Sequence, residues 1–135
     1  MILLKSCEGS FADIKNAWFS RFARRENIKD SVLVDAVARV ERGVIDADLG
    51  GGVIKQRIAR PGQGKSGGYR SIILFRKGTQ AFFVYGFAKS DRENIEDHEL
   101  EKFKILAKAW FALSDRQIEA MTRDKALTEV KHEEK

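Results

Sequence analysis

The chain has little of what usually announces a chemistry. Its 135 residues include one cysteine, Cys7, one proline, Pro61, and two histidines, His98 and His132. A lone cysteine excludes an internal disulfide, and no cysteine–histidine spacing suits a metal. The expectation is a reduced, cytoplasmic protein with no metal or other cofactor. No apolar run approaches the ~20 residues of a membrane-spanning helix, which excludes an integral helical membrane protein. Met1 to Lys5 is too short for a signal peptide, and its charge follows the apolar residues instead of preceding them. His98 sits near a helix start and His132 in the tail, and both read as surface residues. A histidine-based ribonuclease or a Ser-His-Asp hydrolase therefore has little support. Cys7 has no basic or helical surroundings that would make it a nucleophile.

What is present is a globular composition, 43% hydrophobic and 33% charged, with a net charge of +5. The length fits a single domain, 1–135, able to bury roughly two thirds of its unfolded surface. The charge is unevenly spread. Residues 1–52 balance to zero and residues 93–135 are acidic. Residues 53–92 hold Lys55, Arg57, Arg60, Lys65, Arg70, Arg76, Lys77, Lys89 and Arg92 against Asp91 alone. A folded basic surface points to a polyanionic partner, most often nucleic acid; the alternative is a solvated face that keeps the protein soluble.

Residues 1–13 give no clear signal and read as a loose arm or an edge strand. From Asn16, a candidate N-cap, Ala17, Trp18, Phe22 and Ile28 recur near a helical period. A second helix opens at Asp30, runs through Val40 and stops at Gly43, making a helix pair. Asp46 to Gly52 reads as a loop. The period then becomes extended. In Val53 to Arg60, Ile54 and Ile58 face one side while Lys55 and Arg57 face the other. Pro61 to Gly68 reads as a flexible connection. Tyr69–Arg76 and Ala81–Ala88 form two further strands, the last apolar on both faces and hence central. Ser90–Glu93 and Ser114–Gln117 each fit a capping box and predict helix starts, with a longer helix from about Asp97. Residues 126–135 read as a frayed tail. The fold class is α+β: an N-terminal helix pair on a small antiparallel meander sheet, with C-terminal helices.

Gly62-Gln63-Gly64-Lys65-Ser66-Gly67 spells a dinucleotide fingerprint, but no helix follows to receive the pyrophosphate. It reads better as a hairpin tip whose amides and Lys65 touch RNA phosphates. Phe82, Phe83, Phe87, Trp110 and Phe111 have core spacings. Tyr69 either stacks on a base or closes the sheet.

DADLGGGVIKQRIARPGQGKSGGYRSIILFRKG and AFFVYGFAKSDRENI, between Asp46 and Ile95, carry a resemblance, as does Trp18 to Arg24. They resemble the RelE/HigB superfamily of toxins from bacterial type II toxin–antitoxin systems, in a subgroup with a GKSGGYR loop and an FVYGFAK strand. The resemblance implies a RelE-like fold and an endoribonuclease that cuts mRNA, usually in the ribosomal A site. It also implies inhibition by a cognate antitoxin, here expected to be a small helix-turn-helix protein. The basic catalytic positions of the family match Lys55, Arg57 and Arg70, with Lys89 or Arg92 following the last strand. RelE carries a catalytic tyrosine shortly afterwards and other members a histidine. Here Ile95 lies near that position and His98 downstream, so the acid and base are left open.

Metal-free RNA cleavage needs a base for the 2′-hydroxyl, positive charge at the phosphate and an acid for the leaving oxygen. Arginine stays protonated and serves only the second role. Lysine serves as a base only when neighbouring charge or burial lowers its pKa, which makes Lys55 the candidate. The Arg70 guanidinium is expected to emerge on the surface shared with Lys55 and Arg57. Arg60, Lys65, Tyr69, Arg76 and Lys77 complete the expected RNA-binding set. The competing functions are a non-catalytic RNA- or ribosome-binding module and a degenerate toxin that only binds its antitoxin.

Overall fold

The computed structural model describes residues 12–60 and 64–131. In chain order the elements are β1 (Ala12–Asn16), α1 (Ala17–Glu26), α2 (Asp30–Glu41), β2 (Ala47–Gly50), β3 (Val53–Arg60), β4 (Gly64–Arg76), β5 (Gln80–Ala88), α3 (Asp97–Phe111), α4 (Asp115–Arg123) and β6 (Leu127–Glu129). One sheet of six strands has the order β2-β3-β4-β5-β1-β6. All pairings are antiparallel except β1 with β5. The α+β class and the N-terminal helix pair agree with the sequence reading. Among the described residues, no helix is long and apolar enough to cross a membrane.

Three corrections concern strands. The expected meander of three gains β1, β2 and β6, each of five residues or fewer. Residues 12 and 13 begin a strand inside the sheet, while residues 1–11 lie outside the described chain. The expected frayed tail is ordered through its first part. Leu127 and Val130 are each 1% exposed, and the Val130 N–H donates to the Asp13 carbonyl at 2.8 Å. Gly64 to Gly68 extends β4 and is no loop.

The sheet is packed on both faces, and strand alternation decides which residue meets which helices. On one face α1 and α2 press Phe19, Phe22, Leu33 and Val37 against Ile54, Ile58, Ile73 and Phe83. On the other, α3 sets Phe103, Ala107 and Trp110, and α4 adds Ile118 and Met121, in the cluster of Ile72, Leu74 and Phe82. β5 is buried along nearly its whole length, as a central strand must be.

A bulge breaks the alternation in β5. Ile72 pairs with Tyr85 and Ile73 with Phe83, leaving Val84 as the extra residue. Phe83 stays on the α1 face, whereas Val84 and Tyr85 both join the α3 face. Asn16 stabilises this point from both directions. Its Oδ1 accepts the Phe19 N–H at 2.7 Å, capping α1, and its Nδ2 donates to the Val84 carbonyl at 3.2 Å. Gly86 then faces α1 so closely that a Cβ would lie 2.5 Å from the Phe22 ring.

The Ser114–Gln117 capping box forms as expected. The Ser90–Glu93 box does not. Residues 89–96 are turns and bends, and α3 starts only after Glu96, where Glu96 and Glu99 form the box. The reason is Arg92, whose guanidinium reaches across to Glu99 and to the Asn94 carbonyl.

Candidate nucleic-acid interface

The sheet register brings the central basic residues together on the α3 face. Arg57 stands opposite Arg70, and Arg70 opposite Phe87. One step along, Lys55 stands opposite Ile72, and Ile72 opposite Tyr85. Val53 of the same strand face is buried, whereas the Arg57 side chain is 46% exposed. The helical cover therefore ends between them, at the row that holds Arg57, Arg70 and Phe87.

Asp46 organises this row. Its two carboxylate oxygens meet Arg57 Nε at 3.5 Å and Arg70 Nε at 3.2 Å. Asp46 is held in turn by Gln56, a polar residue only 1% exposed. The Gln56 side chain accepts the Asp46 N–H at 3.0 Å and donates to the carbonyls of Val44 at 2.9 Å and Ala36 at 3.2 Å. These bonds account for the burial of the amide and tie the α2–β2 connection to β3.

Arg70 is not the surface residue expected. It shares the face of Lys55 and Arg57 but is itself only 7% exposed. Its Nη1 is buried without a hydrogen-bond partner among the described residues. A buried, under-satisfied guanidinium donor is unfavourable by itself and becomes favourable when an anion reaches it. With two arginines on a single carboxylate, the pair keeps positive charge to offer.

Arg92 borders the row from the far side. It donates to Glu99 at 2.6 Å, to the Asn94 carbonyl at 2.9 Å and to the Tyr85 hydroxyl at 2.9 Å. Its guanidinium lies 5.5 Å from the Phe87 ring centroid. The hydrogen bond to Glu99 raises the Arg92 pKa, and burial opposes that rise. The same bond, helped by the Glu96 backbone N–H, holds the Glu99 carboxyl below its ordinary value. Most of the Arg92 donors are thus engaged. Lys89 is exposed in the turn after β5.

The remaining expected RNA-binding residues separate. Tyr69 is 2% exposed in the α1-side core, edge-on to Phe22, with its hydroxyl donating to Glu26 at 2.8 Å. It closes the sheet, and its ring has no free face for a base. Arg76 ends β4 and Lys77 follows it in the turn, six residues or roughly 20 Å from Arg70 at the middle of the strand. Arg76 bonds to Thr79 and Gln80 there and covers the Phe111 ring. The Arg60 and Lys65 side chains lie outside the described residues, as does His132. His98 is exposed beside Glu96.

Sequence reasoning missed Asp46, Gln56, Tyr85 and Glu99 as members of this region. Asp46 opens a glycine-rich turn and reads as a turn former. Gln56 carried one signal, a polar residue on the inward phase of a strand between Ile54 and Ile58.

The profile of the family described as the RelE toxin of the RelE / RelB toxin-antitoxin system matches residues 14–130. The chain belongs to the RelE toxin family. A RelE toxin pairs with an antitoxin, and the α+β fold seen here is consistent with that family. Among curated proteins, no match to this RelE-family chain is found. The matched span includes β2, β6 and β1 from Ile14 onward, the three strands that the sequence reading left out.

Proposed function

We propose that this RelE-family toxin is a metal-free endoribonuclease that cuts mRNA at the ribosome and so inhibits translation. The observation that carries the reading is Arg70, buried beside Arg57 with an unpartnered Nη1 where the helical cover ends. An RNA phosphate bound at exposed Arg57 is the anion that a side-chain shift brings to this donor. In the reaction the substrate 2′-oxygen attacks phosphorus and the bond to the 5′-oxygen breaks. A 2′,3′-cyclic phosphate and a 5′-hydroxyl result. Arg70 and Arg57 stabilise the charge that builds on the phosphoryl oxygens. Lys55 is the candidate to take the 2′-hydroxyl proton, and the leaving oxygen regains a proton from Lys55 or water. The cognate antitoxin, a small helix-turn-helix protein in this reading, inhibits by covering the Arg57–Arg70 row.

The alternative is a non-catalytic RNA- or ribosome-binding toxin. It gains support from Arg92, whose donors are engaged by Glu99, Asn94 and Tyr85 and so contribute little to stabilising charge on a phosphate. The test is product chemistry. Wild type incubated with mRNA, with and without ribosomes, should leave 2′,3′-cyclic phosphate ends, and Arg70→Lys should leave few. Ribosome binding without cleaved ends would favour the non-catalytic reading.

A further inference from the structure

Beyond Phe83 the central strand β5 loses one neighbour. β1 runs beside it only to the register Lys15 with Phe83, and the chain then turns into α1. The side of β5 from Tyr85 to Ala88 opens there onto a cleft of about 340 Å³, between α1 and the turn Ser90–Arg92. That size lies within the ~300–1,000 Å³ of pockets that take small ligands.

We propose that this cleft receives one unstacked nucleobase of an RNA whose phosphate lies at Arg70. The inference rests on the RNA reading above and names a subsite which that reading leaves unassigned. Aromatic rings form part of its wall. The Trp18 ring lies 4.5 Å from Tyr85 and stacks on Phe22 at 5.3 Å and 18°. Trp18 and Tyr85 are only half-buried, so their rings keep surface for a further ring. Phe87 lines the cleft, and its backbone stands opposite that of Arg70 on the neighbouring strand, so the cleft and the Arg57–Arg70 row lie on adjoining strands of one sheet. Single-stranded RNA is read in this way, by bases splayed onto aromatic rings and arginine planes.

The polar groups select the occupant. Glu26 and Asp91 both line the cleft, and Glu26 is fixed by the Tyr69 hydroxyl at 2.8 Å. The Glu26 oxygens, already bonded by Tyr69 and Arg25, keep lone pairs, and with Asp91 they accept N–H groups from a base edge. Guanine, adenine and cytosine carry an exocyclic amino group to donate. Uracil has one ring N–H between two carbonyls and fits worst. Arg25, 64% exposed, pairs with Glu26 Oε2 at 3.4 Å beside the cleft, and a flanking phosphate competes with Glu26 for it.

Trp18 is its own reporter, because the only other tryptophan, Trp110, lies in the opposite core against Phe82. In a Trp110→Phe background, Trp18 emission is followed during titration with short 2′-O-methyl oligoribonucleotides, which cannot be cut. Quenching is expected, with uracil weakest at the responding position. An abasic nucleotide there should weaken binding by roughly 5- to 100-fold, as loss of one stacked base does. Trp18→Phe should retain most of the affinity, and Glu26→Gln should erase the discrimination against uracil. These two variants keep the test valid if Trp18→Ala fails to fold. Salt-sensitive binding that Arg57→Ala weakens, with no response of Trp18 and no effect of base identity, would overturn the subsite and leave the RNA reading standing. Absence of any binding at low salt would overturn both.

Discussion

The middle of β4 and its hairpin end carry arginines of opposite character. Arg70 is 7% exposed, shares Asp46 with Arg57 and has a guanidinium nitrogen without a partner. Arg76 sits at the hairpin, bonded to Thr79 and Gln80 and laid over Phe111. Both belong to one basic stretch of sequence, yet roughly 20 Å of strand separates them. Charge counted along the chain finds the stretch. The fold then divides it, and burial without a full set of partners marks the part suited to chemistry.

The contrast is broken most strongly at Asp46. Asp46→Asn removes the carboxylate that compensates a buried guanidinium, and breaking such a pair typically costs about 3–5 kcal/mol. Denaturant unfolding should show a large drop, where the same change at exposed Asp35 should show little. Next in size is Arg70→Ala. Cleavage should fall roughly 10²-fold or more, as for loss of a transition-state donor. Stability should fall as well, because Asp46 keeps only Arg57, so folding must be measured beside activity. Equal activity of Arg70→Ala and wild type, both folded, would reject the site.

A smaller effect belongs to Glu99. Its folded carboxyl titrates below its ordinary value, chiefly through the Arg92 hydrogen bond. The stability from this group is therefore present above the unfolded pKa of about 4.3 and is lost as pH falls through the lower folded value. Thermal melts from pH 7 downward should show that loss in wild type. Glu99→Gln should start less stable at pH 7 and lose less across the acid window. The smallest effects are expected at the hairpin. Arg76→Ala and Lys77→Ala should change stability by about 0.5 kcal/mol or less and leave cleavage within twofold.

The sequence made some of this legible and hid the rest for physical reasons. α1 and α2 showed through periodicity and the Asn16 cap, and β5 showed its central place by being apolar on both faces. β1, β2 and β6 did not show. Each is five residues or fewer, and β1 and β6 place little more than Ile14 and Leu127 in the core, too little to register as alternation. The bulge at Val84 was hidden because strict alternation would have set Tyr85 on the Phe83 side. Lys55, Arg57 and Arg70 were grouped correctly by alternation and motif. The depth of Arg70 was not foreseen, because it depends on Asp46 and Gln56 arriving from another part of the chain. The Ser90 capping box misled because a tertiary ion pair, Arg92 with Glu99, outweighed a local signal.

The central claim is that RNA phosphates bind at the Arg70 row in the middle of β4 and not at its Arg76 end. The salt dependence of binding to a non-cleavable single-stranded RNA tests it most directly. Each phosphate contact on a single strand contributes about 0.7 to the slope of log K against log salt. Arg57 is exposed enough to remove without emptying the core. Arg57→Ala should lower the slope by about 0.7, while the double variant Arg76→Ala/Lys77→Ala should leave it unchanged. A slope that falls only for the hairpin variant, or equally for both, would contradict the account.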